Sequence, residues 1–319
     1  MKAKPFIKWA GGKGQLLSQL DNYLPQQLAE RPFTYIEPFV GGGAMLFHIL
    51  KKHPKISHAV INDINTHLVT AYQTIKDKPH ELIERLSEIE SRYGELQNEE
   101  TKKAFYIEAR MIFNEEKLDE IDRTKYFIFL NRTCFNGLYR ENSKGKFNVP
   151  FGRNLHPTIC NKETILADSK ALNCIDVTIL NGDFSATLNY IDNNGLNFVY
   201  LDPPYRPLSA TSCFNSYVKE EFNDNEQIRL RDFTRTLSDQ LGIYWMLSNS
   251  DCSAKNPEDR FFENIYNGFY FNKVYAARSI NANPSKRGKL TELVICNYMP
   301  ADFGNYAAEG DAPYNVAIV

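Results

Sequence analysis

Thr34-Tyr-Ile-Glu-Pro-Phe-Val-Gly-Gly-Gly-Ala-Met-Leu-Phe-His-Ile-Leu50 decides the fold. It reads as a strand, a three-glycine turn and an apolar helix, the opening of a nucleotide-binding β-α-β unit. The glycines let a ligand approach the backbone closely at the helix N-terminus. A dinucleotide fingerprint would continue G-x-G-x-x-G. After Gly41 and Gly43 the third position is Leu46, so NAD is disfavoured. Glu37, just before the turn, would sit badly beside a pyrophosphate and well beside a cationic amino acid. The turn therefore suits a positively charged ligand without phosphate.

Three further strand ends follow from this one. His58-Ala-Val-Ile-Asn-Asp-Ile-Asn65 is a second strand ending in Asp63, 22 residues after Gly41. A carboxylate there is placed to accept from both ribose hydroxyls, or else caps the next helix. Asp176-Val-Thr-Ile-Leu-Asn-Gly-Asp-Phe184 is a third strand. Its Asp183 could accept from an adenine amino group, with Phe184 flanking the ring. Asn197-Phe-Val-Tyr-Leu-Asp-Pro-Pro-Tyr205 is the fourth, an apolar β-favouring run buried on both faces. Pro203 and Pro204 cannot continue a central ladder, so the chain must turn at the carboxyl edge, where α/β sheets bind ligands. Asp202 and the Pro203 carbonyl could each take one hydrogen of an exocyclic amine while Tyr205 stacks on the ring. The plainer reading is a strand running into a proline turn.

Phe6-Ile-Lys-Trp-Ala-Gly-Gly-Lys-Gly-Gln-Leu-Leu17 is a short extended piece, a glycine turn and a helix start. It fails the P-loop pattern, because position 7 is Ile and Lys13 precedes Gly14. Trp9 either packs inside or covers an apolar ligand surface, with Lys13 meeting a carboxylate. From residue 67 to 130 the pattern is helical, with apolar spacing such as Leu82, Leu86 and Ile89. Between 81 and 122 there are thirteen Asp/Glu against six Lys/Arg, a solvated face turned away from nucleic acid. Residues 123 to 153 reverse the sign, with seven Lys/Arg, one Glu and interleaved aromatics. Tyr139 to Val149 reads as a hairpin around Asn142-Ser-Lys-Gly-Lys146. Arg140 could make a bidentate contact to guanine while the other cations meet phosphates; an exposed basic loop is the simpler reading. A helix near 226–241, a strand over 242–250 and two strands near 269–277 and 291–298 complete the sheet. Between the last two lies a basic loop, Asn283-Pro-Ser-Lys-Arg-Gly-Lys289, and residues 300–319 read as a dispensable tail.

The 319 residues can hold one large or two medium domains. No apolar run approaches the ~20 residues of a membrane span, and Met1-Lys-Ala-Lys-Pro leads into no signal-peptide core. Six dispersed cysteines without a C-x-x-C exclude a recognisable zinc framework and suit a reduced, cytoplasmic chain; no metal site is expected. The net charge of −2 does not announce a nucleic-acid binder, but local clustering is what counts.

Eight blocks stand in order: F-x-K-W-A-G-G-K, E-P-F-V-G-G-G-A, I-N-D-I-N, N-G-L-Y-R with F-N-V-P-F-G-R, G-D-F, D-P-P-Y, L-S-N-S and R-G-K. Together they resemble the Dam-type DNA adenine N6-methyltransferases, most closely the Dam/DpnM group that modifies GATC, over roughly residues 4 to 298. The resemblance implies a Rossmann-like SAM-dependent methyltransferase sheet. Residues 1–66 and 166–299 would form its catalytic domain, with an inserted helical and hairpin DNA-recognition domain over 67–165. It implies S-adenosylmethionine as cofactor and double-stranded DNA as substrate, with a cognate restriction endonuclease as a conceivable partner and a monomeric state. By motif match the cofactor pocket would be Trp9, Lys13, Glu37, Phe39, Gly41, Gly43, Asp63, Asp183 and Phe184, with Asp202 alongside. Asp202, Pro203 and Tyr205 would hold a flipped adenine. Arg132, Phe135, Asn136, Leu138, Arg140, Lys144, Lys146, Arg153 and Arg287 would face DNA. Thr133-Cys134-Phe135 and Asn154 depart from the usual family pattern, which bears on the wedge residue and flanking preference.

The chemistry suits these residues. An adenine amine is conjugated to its ring and weakly nucleophilic, so acceptors on both hydrogens would expose its lone pair, and transfer then depends mainly on positioning. No cysteine follows a proline, which argues against cytosine C5 methylation. Methylation of cytosine N4, or of adenine in RNA, is the nearest rival; Asp before Pro-Pro-Tyr favours adenine, and the hairpin favours duplex DNA.

Overall fold

The computed structural model describes residues 2–207, 222–240, 242–276 and 290–300. Arg287 with its basic loop, Cys213 and the tail from 301 lie outside the described residues. Seven strands form one sheet: β1 (Phe33–Glu37), β2 (Ile56–Asp63), β3 (Asp176–Asn181), β4 (Leu196–Leu201), β5 (Ile243–Ser250), β6 (Tyr270–Ala276) and β7 (Leu290–Cys296). Their spatial order is β3-β2-β1-β4-β5-β7-β6. The first five are mutually parallel, and β7 runs antiparallel between β5 and β6. The chain moves outward from β1 to β3 and then returns to β4 on the other side of β1. That reversal places the crevice of a doubly wound sheet between β1 and β4. The fold is the Rossmann-like α/β arrangement expected from sequence.

Every residue of β4 is buried, because helices cover both faces. Phe198 and Tyr200 enter one core with Tyr35 and Leu46, while Val199 and Leu201 enter the other with Trp245 and Leu230. Ten helices surround the sheet among the described residues. α1 (Leu17–Leu20), α2 (Gln27–Glu30) and α3 (Ala44–Lys52) come before β2. α4 (Thr66–Asp77), α5 (Pro79–Glu95), α6 (Glu99–Glu115), α7 (Glu120–Thr133) and α8 (Lys162–Leu172) lie between β2 and β3. α9 (Asp224–Ser238) and α10 (Phe261–Ile265) flank β5.

Local chemistry sets where several helices begin. The side chains of Asn65, Asn98, Asp119 and Asn161 each accept from the backbone N–H three residues on. Apolar residues of the intervening helices, including Leu82, Leu86, Tyr106 and Phe129, join the same core as Phe198. The expected hairpin is only partly formed. Glu141 and Phe147 make a single antiparallel bridge, with Asn142 N–H donating to the Lys146 carbonyl at 2.9 Å, and no strand extends from it. Asn148 N–H also donates to the Arg140 carbonyl at 3.0 Å, while the outward-facing groups of Phe147 and Val149 hold to α6 through Asn114 and Tyr106.

Candidate active site

Four parallel strand ends and one strand start meet at the carboxyl edge. Glu37 ends β1, Asp63 ends β2, Asp183 follows β3 and Asp202 follows β4. Because β7 is antiparallel, its beginning lies at that same edge and brings Glu292 there, opposite Ser250 of β5.

At the β1 turn Gly41 and Gly43 have φ of 49° and 76°, and Gly43 starts α3. A Cβ on Gly41 would come within 2.9 Å of Trp9, and one on Gly43 within 2.3 Å of the Tyr72 hydroxyl. Trp9 thus lies against the glycine turn, stacked on Tyr139 with ring centroids 5.7 Å apart and tilted against Phe127 at 6.4 Å. The Gly41 N–H donates to Asp63 Oδ2 at 3.0 Å and the Asn65 N–H to Oδ1 at 2.9 Å. Burial raises the Asp63 carboxyl, and these donors oppose the rise. Glu37 is buried and accepts from the Tyr35 hydroxyl at 2.8 Å. Among the described residues no cation pairs with it. Burial pushes its carboxyl far above the usual range, and the charge of Asp202 adds to that.

The fourth strand end is the most heavily tied. Lys13 is buried, and its ammonium lies 2.8 Å from Asp202 Oδ1, 2.7 Å from the Gly11 carbonyl and 4.5 Å above the Tyr205 ring. Tyr205 donates its hydroxyl to Glu292 Oε2 at 2.6 Å. Burial raises the Asp202 carboxyl to about 6; Lys13 opposes the rise and Glu292 reinforces it. Pro203 is buried and Pro204 exposed. The Pro204 carbonyl accepts from Gln227 on α9 at 3.0 Å, Asn249 accepts from the Arg206 N–H at 3.2 Å, and Ser250 donates to the Arg206 carbonyl at 2.7 Å. The proline turn is therefore clamped from α9 and β5.

At the third strand end the geometry departs from expectation. Asp183 accepts from both terminal nitrogens of Arg229 on α9, at 3.0 and 2.7 Å, which holds its carboxyl at about 2. The same guanidinium covers the Phe184 ring at 4.1 Å, and Phe184 is otherwise buried against Phe39 and Phe233. Both side chains are exposed, and the planar guanidinium fork matches the two carboxylate oxygens. The expected open adenine acceptor is occupied by a side chain of the same chain.

The basic segment divides. Phe135 and Leu138 are 51% and 39% exposed, large apolar side chains on a loop that Asn131 holds against the Lys8 backbone. Asn136 is exposed with φ of 56°. Arg140 donates through Nε to Asn148 Oδ1 at 2.7 Å, across the hairpin. Lys144 is exposed, Lys146 pairs with Glu115 at 2.5 Å, and Arg153 pairs with Glu99 at 3.4 Å. Arg132 points inward, donating to the Phe6 carbonyl at 2.5 Å, so it anchors the N-terminal segment instead of meeting phosphate. At the end of α7 it is drawn in because the chain beside it leaves a carbonyl to satisfy.

Sequence reading missed Glu292, Gln227, Asn249 and Arg229. The L-S-N-S block held Asn249 in plain view. Glu292 had only a topological signal, an acid at the start of an antiparallel strand.

Comparisons with known proteins agree with this geometry. The chain is 47% identical over 302 residues to the Type II methyltransferase M.MjaIII of Methanocaldococcus jannaschii, covering 93% of this chain and all of that one. It is 38% identical over 298 residues to the Type II methyltransferase M1.LlaDCHI of Lactococcus lactis, covering 92% and 95%. The DNA adenine methylase of Haemophilus influenzae is 32% identical over 294 residues, covering 92% and 93%. A family model matches residues 9–280, which span the glycine turn, the helical insert and the proline turn alike. The chain belongs to the D12 class of N6 adenine-specific DNA methyltransferases.

Proposed function

We propose that the protein transfers a methyl group from S-adenosylmethionine to N6 of an adenine turned out of double-stranded DNA, within GATC. The observation that carries this reading is Asp202, half-buried just after β4, held by Lys13 and followed by Tyr205. Residues 1–66 and 166–299 act as the catalytic unit, 67–165 as the recognition unit and 300–319 as a tail. The protein works as a cytoplasmic monomer, alone or beside a restriction endonuclease.

The residues fit the cofactor. Glu37 is a buried carboxylate short of a cation among the described residues, and a ligand ammonium would supply one. Gly41 and Gly43 keep the turn free of side chains, and Asp63 keeps lone pairs for ribose hydroxyls. Trp9, Phe39 and Phe184 give the apolar wall, and Asp183 the acceptor for adenine. Bound S-adenosylmethionine supplies an electrophilic methyl on a sulfonium.

The protein side is acceptor chemistry. Ionised Asp202 and the Pro203 carbonyl each accept one hydrogen of the adenine amine and aim its lone pair. Tyr205 stacks on the base and offsets part of the few kcal/mol that extrusion costs. As the nitrogen gains a methyl it must shed one proton, and Asp202 is the acceptor beside it. Arg140 reads the first guanine, Phe135, Asn136 and Leu138 enter the helix beside the vacated base, and Lys144, Lys146, Arg153 and Arg287 meet phosphates.

Incubation with labelled S-adenosylmethionine and unmethylated DNA, followed by mapping of the modified base, tests the reading. Label on N6 of adenine in GATC is expected, and Asp202→Ala should lower turnover by about 10²–10⁴. Label on cytosine N4 would overturn it. Arg140→Ala should erode discrimination at the first guanine, a bidentate contact there being worth about 1–3 kcal/mol. An equal slowing at all sites would make Arg140 a phosphate clamp.

A further inference from the structure

Tyr205 and Asp202 belong to one turn, yet neither is fixed by that turn alone. The Tyr205 hydroxyl is held by Glu292 from β7 at 2.6 Å, and the ammonium of Lys13 lies 4.5 Å above its ring. Lys13 is in turn shared, 2.8 Å from Asp202 and 4.0 Å from Glu292. The Glu292 side chain is only 13% exposed, so its partners within the protein, not water, determine where it points. The phenolic oxygen lies on the Cβ–Cγ axis, so a bond to the hydroxyl fixes where the ring's far end points, and the cation on its face then favours one orientation about that axis.

We propose that Glu292 is a positioning residue for methyl transfer: it anchors the far end of the Tyr205 ring through the hydroxyl and shares Lys13 with Asp202. This rests on the reading that Asp202 and Tyr205 hold the target base. Two consequences follow from the geometry. With one face of Tyr205 under Lys13, the base stacks on the opposite face, and Glu292 decides where the ring's far end lies. The carboxylate of Glu292 also sets how readily Asp202 ionises. The groups facing Asp202 are Lys13 before α1, Tyr35 and Glu37 on β1, Tyr200 on β4, Tyr205 itself and Glu292 on β7. Burial raises Asp202 most, Lys13 lowers it, and Glu292 is the next charge to raise it. Neutralising Glu292 must therefore make Asp202 a stronger acid.

The test is kcat and KM across pH on an unmethylated GATC duplex for wild type, Glu292→Gln, Glu292→Ala, Tyr205→Phe and the Glu292→Ala/Tyr205→Phe pair. Wild type should lose kcat/KM as pH falls through about 6. Glu292→Gln should move that acid limb to lower pH, because a negative neighbour is gone. Glu292→Ala should lower kcat by about tenfold to a hundredfold, with the KM for cofactor unchanged, since losing a charged hydrogen-bond partner has that scale. Added to Tyr205→Phe it should cost little more, because both remove one interaction. An unmoved acid limb in Glu292→Gln, or losses that simply add, would overturn the proposal. If Glu292→Ala does not fold, the limb of Glu292→Gln decides alone. Failure of wild type to methylate adenine would instead overturn the reading beneath it.

Discussion

Arg229 ties its guanidinium to Asp183 and to the Phe184 face at once, so a planar cation stands where an adenine ring is proposed to bind. The magnitude of that obstruction is small. Both partners are more than 40% exposed, and exposed ion pairs contribute about 0–1 kcal/mol. Displacing Arg229 should then cost at most about fivefold in affinity. Arg229→Ala is expected to tighten S-adenosylmethionine binding by no more than that, measured by calorimetry; weaker binding would make Arg229 a wall of the pocket. At this scale the sequence was informative about residue type and poor about pairing. The D-P-P-Y and G-D-F motifs gave the carboxylates, because chemistry restricts which residues can stand there. Lys13 does meet a carboxylate, that of Asp202, but the partners of Asp183 and Tyr205 come from α9 and β7, far along the chain, where no local spacing announces them.

The glycine turn before α3 is an element whose shape follows from its letters. Gly43 sits at φ of 76° with a would-be Cβ 2.3 Å from the Tyr72 hydroxyl, and that hydroxyl donates to the Gly41 carbonyl. Any side chain must both strain the backbone and displace the tyrosine. Gly43→Ala should destabilise the protein by about 2–4 kcal/mol in denaturant melts, whereas Gly14→Ala, with no atom near its would-be Cβ, should stay within about 0.5 kcal/mol. Equal effects would mean that Tyr72 moves aside freely. The strands and α9 were legible within a few residues, since apolar runs and caps are local signals. The hairpin was read too generously. Tyr139 to Val149 does turn back on itself around Asn142 to Lys146, but only one bridge forms, and its outward-facing backbone groups bond to α6.

Across the whole molecule, the sequence of strand ends predicted the sheet, while the join between insert and sheet had no sequence signature. Asp168 of α8 belongs to that join: wholly buried, it accepts from the Lys4 N–H at 3.0 Å through Oδ1 and has no hydrogen-bond partner at Oδ2 among the described residues. Burial raises its carboxyl to about 8. Its proton is thus bound more tightly when folded, so its contribution to stability is full below about 4 and lost as pH rises through about 8. Asp168→Asn keeps the acceptor and never ionises. Its melting temperature relative to wild type should rise between pH 5 and pH 9, by on the order of 5 °C. A constant gap would mean that Asp168 stays ionised when folded. The central ladder carries a different consequence, one of timing. β1 pairs with β4 residue for residue, Phe33 beside Leu196, and all of α4 to α8 is synthesised between them. At roughly 5–20 residues per second, a ribosome takes on the order of ten to thirty seconds to deliver β4 after β1. Until β3 arrives β1 and β2 have only each other, and throughout the wait the inner edge of β1 is bare and open to wrong pairings. The insert helices, built on nearer neighbours, can condense first and shelter one face of the waiting pair. The strand that leads into Asp202 is the one that covers that bare edge.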